Sequence, residues 1–223
     1  MLLDQARSLG RPGLIANSNS SVELCEEKRF VDIRMMIEIS CGSNGFTREY
    51  CEHGPSFGVD KMCVEGSGAA LVRMDLMNEG AVQALEKRIR GDRVCWVHFG
   101  PPTKPTERLK AMMIRLINRT LEEDISCSVE NPASSGLWSI IPDGTDHLHH
   151  SCMFGSGVKK LTKWRTWNFS LDCLHLKCDG EHQHRSWHAQ QSQSDMVYQQ
   201  SLCQRVAEEF FGTKSRCRED QER

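Results

Sequence analysis

No stretch of this 223-residue chain holds the roughly 18–20 successive apolar residues that a membrane-crossing helix requires, so no membrane association is expected. The opening residues, MLLDQARSLGRPG, offer two leucines and then charge, without the apolar run of a secretory signal. An intracellular setting, nucleus or cytoplasm, is the expectation. Net charge is nearly absent as well, since 28 Lys+Arg against 30 Asp+Glu leave −2. Overall basicity therefore gives no argument for nucleic-acid binding, and any such surface must be local. No internal repeat is present. What the chain does have is cysteine: eleven, an odd number, spread along its length. Without a secretory signal, reduced thiols are expected rather than a disulfide framework. With 39% hydrophobic and 26% charged residues, the chain can bury the core of one ordinary domain.

Residues 1–29 show neither helical nor strand periodicity and are expected to form a disordered leader. From residue 30 the pattern alternates. Short apolar strands are predicted at 35–40, 56–60, 69–76, 93–100 and 125–132. Helical spacing marks 79–91 and 107–123, with a shorter helix-like stretch at 46–53. Such alternation argues for a parallel sheet covered by helices. Past residue 137 the texture changes to Trp, His, Lys and Cys. The segment 159–170 reads as strand or extended loop, and His147, His149 and His150 as a polar loop. Tyr198, Leu202, Val206 and Phe210 recur at spacing four, which predicts an amphipathic helix over 198–211. The domain expected from this pattern covers 30–170, followed by a Cys/His-rich appendage and closing helix at 171–211. A disordered charged tail is expected at 212–223.

The first chemical signal is Glu38-Ile-Ser-Cys-Gly42-Ser-Asn44-Gly45, at the end of the first strand. A glycine turn between strand and helix lets the backbone approach a cofactor, and a helix N-terminus favours a negative group. Asp60 ends the next strand, where an acidic residue accepts hydrogen bonds from ribose hydroxyls. Asp75 ends the third and is placed to receive an adenine amine. The alternative for both aspartates is a helix cap or a solvated loop. The full dinucleotide fingerprint is missing, and the acidic residue precedes the glycines.

This order and spacing resembles the S-adenosylmethionine-binding half of class I methyltransferases. Two further motifs narrow the likeness. Phe99-Gly-Pro-Pro-Thr103 follows the fourth strand, and Val129-Glu130-Asn131-Pro132 lies at the end of the fifth. Together they resemble the cytosine-5 DNA methyltransferases, over about residues 30–132. Through Glu130-Asn-Pro-Ala-Ser-Ser-Gly-Leu-Trp138 and Ser151-Cys-Met-Phe-Gly155 the likeness extends to divergent methyltransferase-like reading frames of mobile elements. The resemblance implies an α/β fold, a Rossmann-like class I methyltransferase sheet with helices on both faces. It implies S-adenosylmethionine as cofactor, held by Glu38, Gly42, Asn44, Gly45, Asp60, Asp75 and Pro101. DNA, rather than RNA, is the implied partner.

In that family a cysteine thiolate adds to carbon 6 of a flipped-out cytosine, and a glutamate bonds and protonates the ring nitrogen. Glu130 matches the glutamate. Thr103 stands where the cysteine belongs, and a threonine hydroxyl is a very poor nucleophile without a dedicated base. The loop after Pro102 also runs almost directly into a helix. Methyl transfer to cytosine is therefore expected to be weak or absent. The alternative is a non-catalytic cofactor- or nucleic-acid-binding remnant of a mobile element, or a zinc-stabilised interaction domain.

Two local features remain. Cys173, Cys178, His182 and His184 could furnish four ligands for a structural zinc ion, against the alternative of surface histidines and buried thiols. Lys159, Lys160, Lys163 and Arg165, with Trp164 and Trp167 interleaved, suit phosphate contact and base stacking. A solvated strand face with two core tryptophans is the competing reading.

Overall fold

The computed structural model describes residues 34–42, 45–62, 70–91, 93–185 and 198–221, with side chains of the last segment described to Gly212. Strand β1 spans Met35–Ile39 and is followed by helix α1, Gly45–Tyr50. Next come β2 (Ser56–Asp60), β3 (Leu71–Arg73) and helix α2 (Glu79–Gly91). Strand β4 (Val94–Phe99), helix α3 (Glu107–Glu122) and strand β5 (Ser126–Pro132) continue the alternation. Strands β6 (Thr145–His150) and β7 (Leu161–Trp167) and helix α4 (Gln200–Gln221) complete it. The leader at 1–29 lies outside the described residues. Helix α4 runs ten residues beyond Phe211, where the apolar spacing stops.

The strands form one sheet in the order β3-β2-β1-β4-β5-β7-β6. Neighbours from β3 to β5 are parallel, whereas β7 runs antiparallel between β5 and β6. The expectation of a parallel sheet thus holds for its first five strands. The alternation cannot show the reversal, because β6 and β7 form an antiparallel pair with no α-helix between them. The histidine-rich stretch read as a polar loop is strand β6, with His147 and His149 buried. Histidine repeats at every second position there, but its polarity conceals the inward face.

Side-chain alternation assigns the two faces. Ile37 and Ile39 of β1, Val97 and Phe99 of β4, and Cys127 and Val129 of β5 pack with Val82, Leu85 and Ile89 of α2 and Met113, Leu116 and Ile117 of α3. Met36 of β1 and Trp96 of β4 point the other way, toward Phe46 and Tyr50 of α1 and Leu202, Val206 and Phe210 of α4. Burial on both faces explains why all six residues of β4 are buried. At the N-terminus of α3, Thr106 accepts a hydrogen bond from the Leu109 amide at 3.3 Å and caps the helix. Helices cover both faces of this doubly wound sheet, and its strand order with an antiparallel seventh strand is that of a Rossmann-like class I methyltransferase fold.

Candidate functional site

The face covered by α1 and α4 should be apolar throughout, yet a polar row crosses it. Glu38 of β1 lies in register with His98 of β4, and His98 with Ser128 of β5. Glu130, two residues on, is on the same face and opposite Trp164 of β7. Glu38, His98 and Ser128 are wholly buried, and Glu130 nearly so. Buried polar groups are costly unless each has a partner, so their bonding is informative.

Trp96 donates its indole N–H to Ser128 Oγ at 2.9 Å, and Ser128 Oγ lies 2.8 Å from His98 Nδ1. His98 Nε2 is 3.2 Å from the Tyr198 hydroxyl, which donates to Glu130 Oε2 at 3.0 Å. One direction satisfies every member: Ser128 donates to Nδ1, and Nε2–H donates to the tyrosine oxygen. Burial holds the His98 pKa down at about 3, in keeping with a neutral ring. Desolvation, reinforced by Glu130, raises the Tyr198 phenol well above its ordinary value, so it remains a donor. Lys160 completes the surroundings of Glu130, its Nζ 3.5 Å from Oε1.

Tyr198 thus sits at the C-terminal ends of β4 and β5. Its hydroxyl would come within 2.5 Å of a Cβ placed on Gly100, so only glycine permits this approach. The Phe46 ring meets the tyrosine ring edge-on at 4.6 Å. His98, Ser128 and Tyr198 escape a sequence reading. Each falls within or beside an apolar pattern and has the look of a core or helix residue. Only the buried period-two positions 96, 98, 128 and 130 hint at the row.

The two loops singled out by resemblance are joined. Asn131 donates from Nδ2 to the Pro101 carbonyl at 2.9 Å, tying the Gly-Pro-Pro-Thr loop to the Glu-Asn-Pro turn. Pro101 is buried and Thr103 is exposed. No described residue forms a hydrogen bond that would activate the Thr103 hydroxyl. Asn131 Oδ1 is buried without a partner among the described residues.

At the other end of the row, Glu38 Oε2 accepts from both the amide and the hydroxyl of Thr47, each at 2.7 Å. This bond anchors the first turns of α1 to β1. Glu38 Oε1 is buried and has no partner among the described residues. Burial, only partly offset by Thr47, raises the carboxyl pKa to about 7. The turn that follows places Ser40 and Gly42 at positive φ, 58° and 50°. A Cβ on Gly42 would meet none of the described residues within 4 Å, which leaves room beside the turn for the approach of a cofactor. Gly45 begins α1 and is buried. Asn44 lies outside the described residues.

Asp60 accepts from the Gly42 amide through Oδ2 at 3.0 Å and from the Met62 amide through Oδ1 at 2.9 Å. Asp75 accepts from the Met77 amide at 2.9 Å and faces Lys61 at 3.5 Å. That amide, with Lys61 nearby, holds the Asp75 carboxyl below its ordinary pKa. Both aspartates are loop caps in this structure. An ionised carboxylate offers about four acceptor sites, so each keeps capacity for a hydroxyl or amine donor.

The basic cluster is largely engaged within the protein. Arg165, 7% exposed, grips Asp146 with Nε and Nη2 at 2.7 and 3.0 Å and spends Nη1 on the carbonyls of Trp138 and Pro142. Lys163 pairs with the same Asp146 and lies over the Trp138 ring. Lys160 faces Glu130, and Lys159 is exposed. Trp164 and Trp167 are core residues, the former stacked on His98 at 4.8 Å. The two tryptophans are core residues as the competing reading has it, but the strand is buried where that reading has a solvated face.

Cys173 does not join the predicted ligand set. It lies in a short 3-10 turn, Asp172–Leu174, and directs its thiol at the Arg205 carbonyl of α4, 3.9 Å away. Burial there raises its pKa to about 11. Cys178, His182 and His184 do come together, with Cys152 as the fourth member.

No family model and no curated protein matches this chain. Among solved structures, similarity extends to a SAM-dependent methyltransferase from Archaeoglobus fulgidus, with 18% identity and a TM-score of 0.36. That match covers 48% of this chain and 49% of the other, so the chain spans about half the length of the structure that it matches. The fold class rests on the strand order and the two covered faces described above. No described helix is long and apolar enough to cross a membrane.

Proposed function

We propose that this protein binds S-adenosylmethionine at the turn after β1, in the manner of the cytosine-5 DNA methyltransferases, but has lost their cytosine chemistry. The observation that carries the second half is the Tyr198 hydroxyl bonded to Glu130 Oε2 beside an exposed, unactivated Thr103. Glu130 is the group that would engage the ring nitrogen of cytosine, and the tyrosine takes the bond that a base would need. Replacing thiol by hydroxyl removes the nucleophile as well, so two independent obstacles stand in one site.

The residues of the turn suit the cofactor. None of the described residues crowds Gly42, and Asp60 and Asp75 retain acceptor capacity for ribose hydroxyls and the adenine amine. Glu38 is too deeply buried to touch a ligand directly. Its part is to position, by fixing α1 through Thr47 beside the turn. When bound, the sulfonium cofactor supplies the electrophilic methyl group, and the protein supplies binding and orientation.

Calorimetric titration with S-adenosylmethionine is expected to show binding that Asp60→Ala weakens by about tenfold, the loss of one charge-assisted hydrogen-bonding partner. Absence of heat at millimolar cofactor would refute the reading. Labelled methyl transfer to cytosine-containing DNA is expected to be undetectable for the natural chain. It should become measurable in Thr103→Cys, and more so with Tyr198→Ala added. Substantial turnover by the natural chain would overturn the lost-nucleophile argument.

A further inference from the structure

Outside the polar row, one cluster combines side chains of metal-binding type from distant parts of the sequence. Cys152 lies in a 3-10 turn, Ser151–Phe154, directly after β6. Cys178, His182 and His184 lie in the segment after the Asp172–Leu174 turn. One ligand atom from each of the four falls within 4.8 Å of all the others. We infer that these four residues form a closed structural zinc site that pins the segment around 178–184 to the end of β6.

The distances support tetrahedral coordination. Zinc–sulfur and zinc–nitrogen bonds of about 2.3 and 2.0 Å at a tetrahedral angle put S and N about 3.5 Å apart. Cys178 Sγ lies 3.4 Å from His184 Nε2 and 3.8 Å from His182 Nε2. Both histidines thus turn the same ring nitrogen toward the thiol. His182 directs its other nitrogen at Asp179 Oδ1, 3.8 Å away. A carboxylate on the far side of the imidazole is the arrangement that orients a histidine ligand. Two thiolates and two imidazoles suit zinc in preference to calcium or magnesium, which take oxygen. Four protein ligands leave no open position, which marks a structural site and not a catalytic one.

The backbone is arranged for the same end. His150 donates its amide to the Leu176 carbonyl at 3.0 Å, and the Cys178 amide donates to His150 Nδ1 at 3.1 Å. Arg185 donates its amide to the Gly157 carbonyl at 2.8 Å. These three bonds lay the 176–185 segment beside the end of β6 and bring Cys178 to Cys152. The Asp179 carboxylate accepts from the Glu181 amide at 2.9 Å and closes the turn between Cys178 and His182.

A second group, His147, Asp172 and His175, shows the contrast. The Leu171 amide donates to His147 Nε2, so the proton sits on Nδ1, which donates to His175 Nε2 at 3.3 Å. His147 thus spends both ring nitrogens on protein partners, Nε2 also lying 3.1 Å from Thr166 Oγ1, so this group does not offer three ligands.

The test is elemental analysis of the full-length chain, purified without a histidine tag under reducing conditions. About one zinc per chain is expected, with Cys173→Ser retaining it and Cys152→Ser retaining less than about a fifth. Cobalt substitution of the natural chain is expected to give thiolate-to-metal charge transfer and the intense visible bands of tetrahedral Co(II). That spectrum keeps the site testable should Cys152→Ser fail to fold. Less than about a tenth of an equivalent of zinc with no tetrahedral cobalt spectrum would overturn the site. Retention in Cys152→Ser, or loss in Cys173→Ser, would overturn the ligand set.

Discussion

Glu38 faces a conflict between burial and charge. Its folded-state pKa, about 7, stands above the ordinary value of 4.5, so the folded protein holds this proton more tightly than the unfolded chain does. The stabilisation linked to it is complete below pH 4.5 and is lost as pH rises through 7. At pH 8 the loss amounts to about 3 kcal/mol, from about 1.4 kcal/mol per pKa unit. Relative to Glu38→Gln, the natural chain should lose stability in urea between pH 5 and pH 8. Parallel curves for the two proteins would contradict the assignment. Tyr198 offers a second check at this scale. Gly100→Ala should be destabilising because the new methyl group meets the phenol oxygen. Tyr198→Phe removes that oxygen and leaves the Ser40 carbonyl at 3.4 Å and the ring carbon at 3.5 Å, so it should suppress most of the cost. Additive effects in the double mutant would show that the close approach is unimportant. Glycine at 100 and tyrosine at 198 are 98 positions apart, and nothing in either neighbourhood announces the other.

Among the elements, the two helix layers differ in how openly they declare themselves. Helix α3 carries its buried residues at 113, 116, 117 and 120, one face of a helix, after a threonine cap. Thr106→Ala should cost about 1 kcal/mol through the lost cap, measured by thermal or urea unfolding, with the fold unchanged. Helix α4 packs by aromatic contact instead. Phe210, 1% exposed, stacks on Trp96 at 4.8 Å and meets Phe169 edge-on. Phe210→Ala should therefore cost about 3–5 kcal/mol, several times the loss from the cap, and loosen α4 in hydrogen exchange. Equal effects of the two substitutions would argue against α4 as a layer of the core. Strands β1, β2, β4 and β5 are legible because each carries apolar or β-branched residues toward α2 and α3, between turn signals. Strand β6 is not, since its inward residues are histidines whose burial depends on β7 and the chain after it. For the same reason the sequence offers Cys173 as a ligand where the structure brings Cys152: spacing along the chain says nothing about which turn a strand end brings near.

Taken whole, the molecule keeps neutral histidines in its interior. Burial holds His98 and His149 at about 3, far below the ordinary 6.5. Their folded forms refuse protons that the unfolded chain accepts, so each contributes stability present above pH 6.5 and lost as the pH falls toward 3. Their ring signals in NMR should stay at neutral positions from pH 7.5 to pH 5, and titration near 6.5 would refute their burial. Between pH 4.5 and 6.5 these two histidines oppose the slope of Glu38, since acidification weakens their contribution and strengthens its own.

The sequence by itself determined the alternation of strand and helix, the glycine turn after β1 with its aspartates, and the hydroxyl, not thiol, chemistry of residue 103. These are local matters, decided by periodicity and by the chemistry of one side chain. Only the tertiary structure decided that β7 runs antiparallel, that Lys163 and Arg165 share Asp146, and that Tyr198 takes up Glu130. It alone brings Cys152 to Cys178. Each of these depends on which distant segments the sheet sets side by side, and burial and pairing are properties of that juxtaposition and not of any residue alone.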